Sequence, residues 1–417
     1  MVVLAIAAGT ATLIWQKELP PISPPAADSF ERGLVKHGEA LAQLGGCVAC
    51  HTAPNGKALT GGRKLQTPFG MVISNNLTPE PWSGLGAWSL AAFVRAMREG
   101  VSRDGHFLYP AFPYDYFTNA SDTDLAALYA YLMSRPPIVA QAPVDRLDWP
   151  FAHRQLLAAW NLFFLRKGPK DDGGPDRGRA LAEGLAHCGA CHTPRNRWGA
   201  AQSDRAYDGA WVDDWYAPAL NARSPAARPW TEEDLFTYLR TGLSAVHAAA
   251  AGPMAEVTRA LAAAPEADVR AIAGYFARLM AAAPATDKKA PAVVDRRNEA
   301  DQAHPEGAAL FGGACSSCHE AGAPMLLQGR PSLAVSTALR IDAPHNALHV
   351  IAHGLAAPAG HAGPDMPAFH ADFTDRQLAE IAQYLRARYT VLPPWPNPEQ
   401  AAEHVRQGAD EQRVEAP

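Results

Sequence analysis

Three stretches of the chain place apolar residues at i, i+3, i+4 and i+7, the spacing that lines one face of an α-helix. They are Leu125, Leu128, Tyr129 and Leu132; Val269, Ile272, Ala273 and Phe276; and Leu378, Ile381, Ala382 and Leu385. Six positions after the first apolar residue each stretch carries a tyrosine: Tyr131, Tyr275 and Tyr384. The recurrence predicts an internal repeat, three copies of one unit, each closed by an amphipathic helix. Stretches such as Ala180 to Leu185 predict an opening helix, and the Pro- and Gly-rich segment from Gln66 to Gly86 predicts a loop.

Breaks in this pattern give the expected boundaries. Residues 28–137, 176–282 and 303–392 are read as three helical domains, with 138–175 and 283–302 as linkers and 393–417 as an extended tail. The expected fold class is all-α, three tandem domains behind an N-terminal apolar anchor or signal helix. A chain of 417 residues suits about three domains. A net charge of −5 provides no basic excess to neutralise phosphates, so no nucleic-acid partner is expected.

All six cysteines fall in three C-x-x-C pairs, each followed at once by histidine. The motifs are Cys47, Cys50 and His51; Cys188, Cys191 and His192; and Cys315, Cys318 and His319. C-x-x-C-H is the attachment signature of c-type haem. Two thiols at that spacing reach two vinyl groups on one porphyrin edge, and the adjoining histidine supplies the proximal nitrogen to iron. A structural zinc site would bring two such pairs close in sequence, and these lie far apart. A redox dithiol would follow a strand in a βαβ unit, and none is visible. Three covalently bound haem c groups are therefore expected, each in a small helical cytochrome c fold whose opening helix leads into the motif. Attachment of this kind takes place outside the bacterial cytoplasm, so an exported protein is expected.

A methionine on the far side of the iron is the usual sixth ligand of an electron-transfer haem. Met254, in Gly252-Pro253-Met254, and Met366, in Pro364-Asp365-Met366-Pro367, each stand beside Pro ahead of a closing helix. The corresponding stretch of the first copy is Pro110-Ala111-Phe112-Pro113, and phenylalanine cannot bind iron. The first haem then lacks a sixth ligand or takes one nearby, with His106 the first candidate and Met97, inside a helical stretch, the second. A His/His haem would have a lower potential than a His/Met haem. Arg63, Arg195 and Trp88 are candidates to orient propionates. His345, His349 and His353 fall on one helical face, read as solvated rather than metal-binding.

Val2 to Trp15 is an apolar run, short against the ~20 residues of a spanning helix. No cation precedes it and Lys17 follows, and an uncleaved anchor is the preferred reading over a cleaved signal.

The chain resembles the three-haem cytochrome c subunits of bacterial membrane-bound dehydrogenases over about residues 28–392. The resemblance lies in Thr67-Pro68-Phe69-Gly70, Asn76-Leu77-Thr78-Pro79, Arg95 to Val101, Leu108 to Tyr114, Cys191-His192-Thr193-Pro194-Arg195-Asn196 and Ala251-Gly252-Pro253-Met254. It implies an electron-transfer subunit with no catalysis of its own. That subunit is expected on the periplasmic face of the cytoplasmic membrane, passing electrons from a catalytic partner to ubiquinone. Members serving quinoprotein alcohol dehydrogenases or flavoprotein sugar and gluconate dehydrogenases typically carry Met where this chain has Phe112. Trp160 to Phe164 resembles instead the branch that serves molybdenum hydroxylases. The expected partners are therefore a molybdopterin subunit and a 2Fe–2S subunit oxidising aldehydes or N-heterocycles. The alternative readings are a cytochrome subunit of a quinoprotein alcohol dehydrogenase or flavoprotein gluconate or sugar dehydrogenase and, after those, a haem enzyme with an open first iron.

Overall fold

The computed structural model describes residues 16–140, 144–168, 176–282, 293–358, 360–361 and 364–414. The run from Val2 to Trp15, read as an anchor or signal helix, lies outside the described residues. Among those residues no helix is long and apolar enough to cross a membrane. The chain forms two compact units. One is drawn from residues up to 190 with 195–202 and 263–272, the other from 191–194, 203–262 and 273–417.

In the first unit, α1 (Arg32–Leu44) starts where the Glu31 carboxylate accepts from the Gly33 and Leu34 amides. α2 (Leu90–Glu99) starts at Ser89, whose hydroxyl accepts from the Ala92 amide. The closing helix α3 (Asp122–Met133) starts on Ser121 in the same way. It buries all of its periodic residues, Leu125, Leu128, Tyr129 and Leu132. Gly38 of α1 is the crossing point with α3. A Cβ there would fall 1.9 Å from the Ala127 carbonyl and 2.8 Å from Tyr131 Cβ, so only glycine allows the approach. α4 (Leu156–Phe164) and α5 (Arg177–Glu183) follow.

The second unit repeats these devices. α6 (Glu232–Thr241) is capped by Thr231, and α7 (Pro253–Ala262) follows. α8 (Glu266–Ala281) begins in the first unit and ends in the second, with Val269, Ile272, Ala273 and Phe276 all buried. α9 (Arg297–Ala303), α10 (Pro305–Ala314), α11 (His345–His353) and α12 (Asp375–Tyr389) complete the third copy. α12 opens on a reciprocal Thr374–Gln377 capping box. Gly307 of α10 meets α12 as Gly38 meets α3, with a Cβ 2.5 Å from the Glu380 carbonyl and 2.7 Å from Tyr384 Cβ. The recurring tyrosines Tyr131 and Tyr384 are thus the residues on which the opening helices' glycines rest.

The all-α expectation is corrected by two small antiparallel sheets. β1 (Lys64–Thr67), β2 (Gly70–Ile73) and β3 (Arg146–Leu147) pair in that order. β4 (Ala210–Val212) and β5 (Trp215–Ala217) form a hairpin. The first turn falls in the segment read as a loop. There the Thr67 hydroxyl accepts from the Phe69 amide and donates to the Gly70 carbonyl. The second is a two-residue turn with Asp213 and Asp214 both at positive φ, the geometry that matches strand twist. Strands of two to four residues are too short to show a period of two, which is why the pattern missed them.

The expected extended tail is also corrected. α13 (Pro398–Val414) begins with Pro at its first position and buries Ala401, Ala402 and Val405. This narrow stripe of small residues carried little hydrophobic signal. Residues 138–175, read as a linker, hold β3 and α4.

Candidate haem sites

Each C-x-x-C-H motif forms one turn of helix. Cys47–Cys50 follows Gly46, which takes the left-handed conformation at φ 61°, and the His51 amide closes the turn on the Cys47 carbonyl at 2.9 Å. Gly189–His192 and Ser316–His319 are the equivalent turns. One turn sets the two thiols on neighbouring edges with the histidine directly after them, the arrangement that thioether attachment needs. None of the six cysteines is in a disulfide. Burial, with Cys50 alongside, pushes the Cys47 thiol up to about 12. Burial, with Cys318 alongside, pushes Cys315 up to about 11.

The histidines share a character. Burial lowers the pKa of His51, His192 and His319, which keeps each imidazole neutral, the form that binds metal. His51 Nδ1 lies 2.7 Å from the Asn75 carbonyl, and His192 Nδ1 lies 2.7 Å from the Pro218 carbonyl. A carbonyl can only accept, so Nδ1 carries the proton and Nε2 is left as the ligating nitrogen. Among the described residues no hydrogen bond holds the His319 ring. Its neighbour in sequence is the clamped residue. Glu320 accepts from the Arg388 guanidinium at 2.6 and 3.0 Å, and the same guanidinium binds Asp295 at 2.8 and 2.9 Å.

An apolar pocket, part of it open to solvent, lies beside the third motif. Cys315, His319 and Met366 line it, with Phe311, Leu339 and Ile351 among its apolar walls. A thiol, an imidazole nitrogen and a thioether facing one apolar pocket form a donor set that fits haem c. Met366 is brought there by a device that recurs three times. α11 ends at Gly354 in a positive-φ conformation, and Leu355 then pairs with Met366. α6 ends at Gly242 and Leu243 pairs with Ala249; α2 ends at Gly100 and Val101 pairs with Phe107. Met254 stands five residues beyond Ala249, and Phe112 five beyond Phe107. Met254 stands in the first turn of α7 and is half-buried, and Gly252 just before that helix packs on the Trp215 indole so closely that a Cβ would lie 2.4 Å away.

Phe112 sits in an aromatic cluster, 5.3 Å from Phe117 and 6.5 Å from Tyr114 between ring centroids. His106 lies in the turn between Val101 and Phe107 and is exposed. Its Nδ1 is 2.6 Å from Asp104 and 2.9 Å from Ser102, leaving Nε2 for any ligation. Met97 is buried within α2. Arg63 donates to the Ala49 carbonyl at 2.8 Å and Arg195 to the Ala190 carbonyl at 3.3 Å, the same position in two motifs, so each ties down its C-x-x-C turn. The Trp88 carbonyl accepts from the Tyr129 hydroxyl. His349 is buried rather than solvated. It stacks on Trp215 and binds Asp214 at 3.0 Å, while His345 meets Trp211 edge-on. Among the described residues no cluster of three or more metal-binding side chains occurs. The Arg388 clamp and the partner carbonyls of the histidines carried no sequence signal. An arginine in a closing helix reads as solvated, and backbone acceptors are anonymous.

Comparison with known proteins agrees with this geometry. The profile of the cytochrome c family matches residues 35–136, and that described as cytochrome C oxidase, cbb3-type, subunit III matches residues 302–385. The fructose dehydrogenase cytochrome subunit of Gluconobacter japonicus is 35% identical over 397 residues, covering 88% of this chain and 81% of that protein. The chain belongs to the family of dehydrogenase cytochrome c subunits. The gluconate 2-dehydrogenase cytochrome c subunit of Pantoea cypripedii is 34% identical, covering 87% of each chain. A nicotinate dehydrogenase subunit of Pseudomonas putida is 44% identical over 402 residues, 94% of this chain, and this chain spans 34% of that longer protein. As a dehydrogenase cytochrome c subunit, the chain binds haem c and serves as an electron-transfer component, not a catalyst.

Proposed function

We propose that this cytochrome subunit carries three haem c groups. In this reading it relays electrons from a molybdopterin subunit and a 2Fe–2S subunit, oxidising aldehydes or N-heterocycles, to ubiquinone at the periplasmic face of the cytoplasmic membrane. The observation that carries the haem count is the threefold C-x-x-C-H turn, each with a half-buried histidine whose pKa is lowered toward the neutral form. The 44% identity to a nicotinate dehydrogenase subunit supports the molybdenum branch.

Bound haem c supplies a one-electron iron couple. The chain's residues set its terms. Cys47 and Cys50, Cys188 and Cys191, and Cys315 and Cys318 anchor the three groups. His51, His192 and His319 hold the proximal nitrogens. Met254 and Met366 supply thioethers that favour the ferrous state, while the first site, with Phe112 in the equivalent place, takes His106 as its candidate sixth ligand and Met97 as the second.

Purification from native membranes in mild detergent, with mass spectrometry of the accompanying chains and metal analysis, tests the partner. Stoichiometric molybdenum with an iron–sulfur chain is the expected result. A flavin subunit, as the fructose dehydrogenase relative's similarity would favour, or a pyrroloquinoline-quinone subunit would overturn the branch and leave the relay standing.

A further inference from the structure

Helix α4 is built inside out. Leu156–Phe164 contains no charged residue, and its one amide side chain, Asn161, is turned toward the protein. Asn161 Oδ1 accepts from the Tyr114 hydroxyl at 2.7 Å, and Nδ2 donates to the Glu99 carbonyl at 3.0 Å. Leu157 and Ala158 are buried beside it. This rotation presents Leu156, Ala159 and Phe163 to the outside, with Trp160 half-buried on the same i, i+3, i+4, i+7 stripe, its ring edge-on to Tyr114 at 5.9 Å. Leu156 is 50% exposed and Phe163 65%, and neighbouring Leu162 is 59% exposed. Trp160 Nε1 donates to the Trp198 carbonyl at 2.9 Å, which draws the half-exposed Trp198 indole to the same surface. Cations edge the patch. The Arg197 guanidinium lies 5.1 Å over the Trp198 ring, and Arg166 and Lys167, both exposed, follow the helix. Lys167 is paired with Glu99 at 3.2 Å.

We infer that this stripe lies in the interface of an anionic lipid bilayer. An exposed apolar stripe of this extent marks an interaction site. Aliphatic and phenyl groups enter the acyl boundary, indoles rest at headgroup level, and the neighbouring arginines meet lipid phosphates. Lipid suits the stripe better than a protein surface. A protein interface typically carries about ten direct hydrogen bonds, and the stripe offers only the Trp160 indole, already bonded to Trp198. The inference rests on the proposal above that the chain works at a membrane, and gives that placement a named surface.

The test uses the full haem-loaded chain, in which thioether attachment occupies the native cysteines. Ala159→Cys and, as a control on α1, Glu39→Cys are each given a nitroxide label. Accessibility to oxygen and to a water-soluble nickel chelate is then read by electron paramagnetic resonance with and without phosphatidylglycerol vesicles. The expected result is a several-fold loss of nickel access and gain of oxygen access at position 159 on adding vesicles, with position 39 unchanged. A label at 159 that stays wet while the chain floats with vesicles overturns the helix assignment and leaves the membrane placement. A wet label on a chain that does not float overturns both. Loss of nickel access only when the catalytic partner is added, without lipid, makes the stripe a protein interface and also overturns the inference.

Discussion

The first and third haem motifs share a frame and differ in what the frame carries. In both, a helix ends at a positive-φ glycine, Gly100 or Gly354, and the next residue pairs back across a loop. In both, a glycine of the opening helix rests on the tyrosine of the closing helix. The third loop then delivers Met366 to the cavity lined by His319, whereas the first delivers Phe112 to an aromatic cluster with Tyr114 and Phe117. The histidines are also held differently. The His51 ring is oriented by the Asn75 carbonyl, whereas at the third motif the clamped group is Glu320, next to His319, held by Arg388. The difference teaches that the frame answers to packing and the ligand position to redox chemistry, so one can be exchanged without the other.

The largest expected effect comes from breaking the support of the third motif. Arg388, whose side chain is 2% exposed, binds two carboxylates, one of them adjacent to His319. Arg388→Ala removes the buried cation, leaves two partly exposed carboxylates unpaired, and should destabilise the second unit by about 1.5–3 kcal/mol in thermal or denaturant unfolding. A loss below ~1 kcal/mol would show that the third motif is held by other contacts.

Next, Met366→Ala should lower the potential of one haem by on the order of 100 mV, a fraction of the ~0.8 V that axial ligands span. Covalent haem content should not change. Redox titration checks this, and an unmoved potential removes Met366 as a ligand. The reciprocal exchange sharpens the comparison. Phe112→Met should raise the potential of the first haem by a similar or smaller amount and add a thioether–ferric iron absorption band. No new band would mean that the first loop cannot carry a ligand at that position.

A smaller effect follows from pH. Hydrogen bonds from Arg388 hold the Glu320 and Asp295 carboxyls below the usual carboxylate range. Depressed folded pKa values give stability that is present above the unfolded values near 4 and fades as pH falls through the folded ones. The unfolding midpoint of the second unit should therefore drop below about pH 4 by a few degrees beyond the drop seen in Arg388→Gln. Parallel curves for the two proteins would contradict the assignment. Least of all, His106→Ala should alter the spectrum of one haem only, and an unchanged spectrum removes His106.

The three closing helices were legible because their buried faces run for several turns, long enough for the 3.6-residue period to show. The attachment turns were legible because their chemistry is local, five residues carrying both thiols and the nitrogen. The hairpins were not, being two to four residues per strand. Nor was α13, whose buried side chains are mainly alanine. The orientation of α4 was hidden for another reason. Its apolar residues cover most of its circumference, and the inward face is chosen by Asn161 reaching Tyr114 and Glu99, contacts distant in sequence.

The count of haems bears most directly on the account. Intact mass of the purified chain, together with haem quantitation by pyridine haemochrome, should give the polypeptide plus three covalent haems, and redox titration should resolve the first as the lowest in potential. A chain carrying two haems, with one C-x-x-C pair still titrating as free thiols, would contradict it.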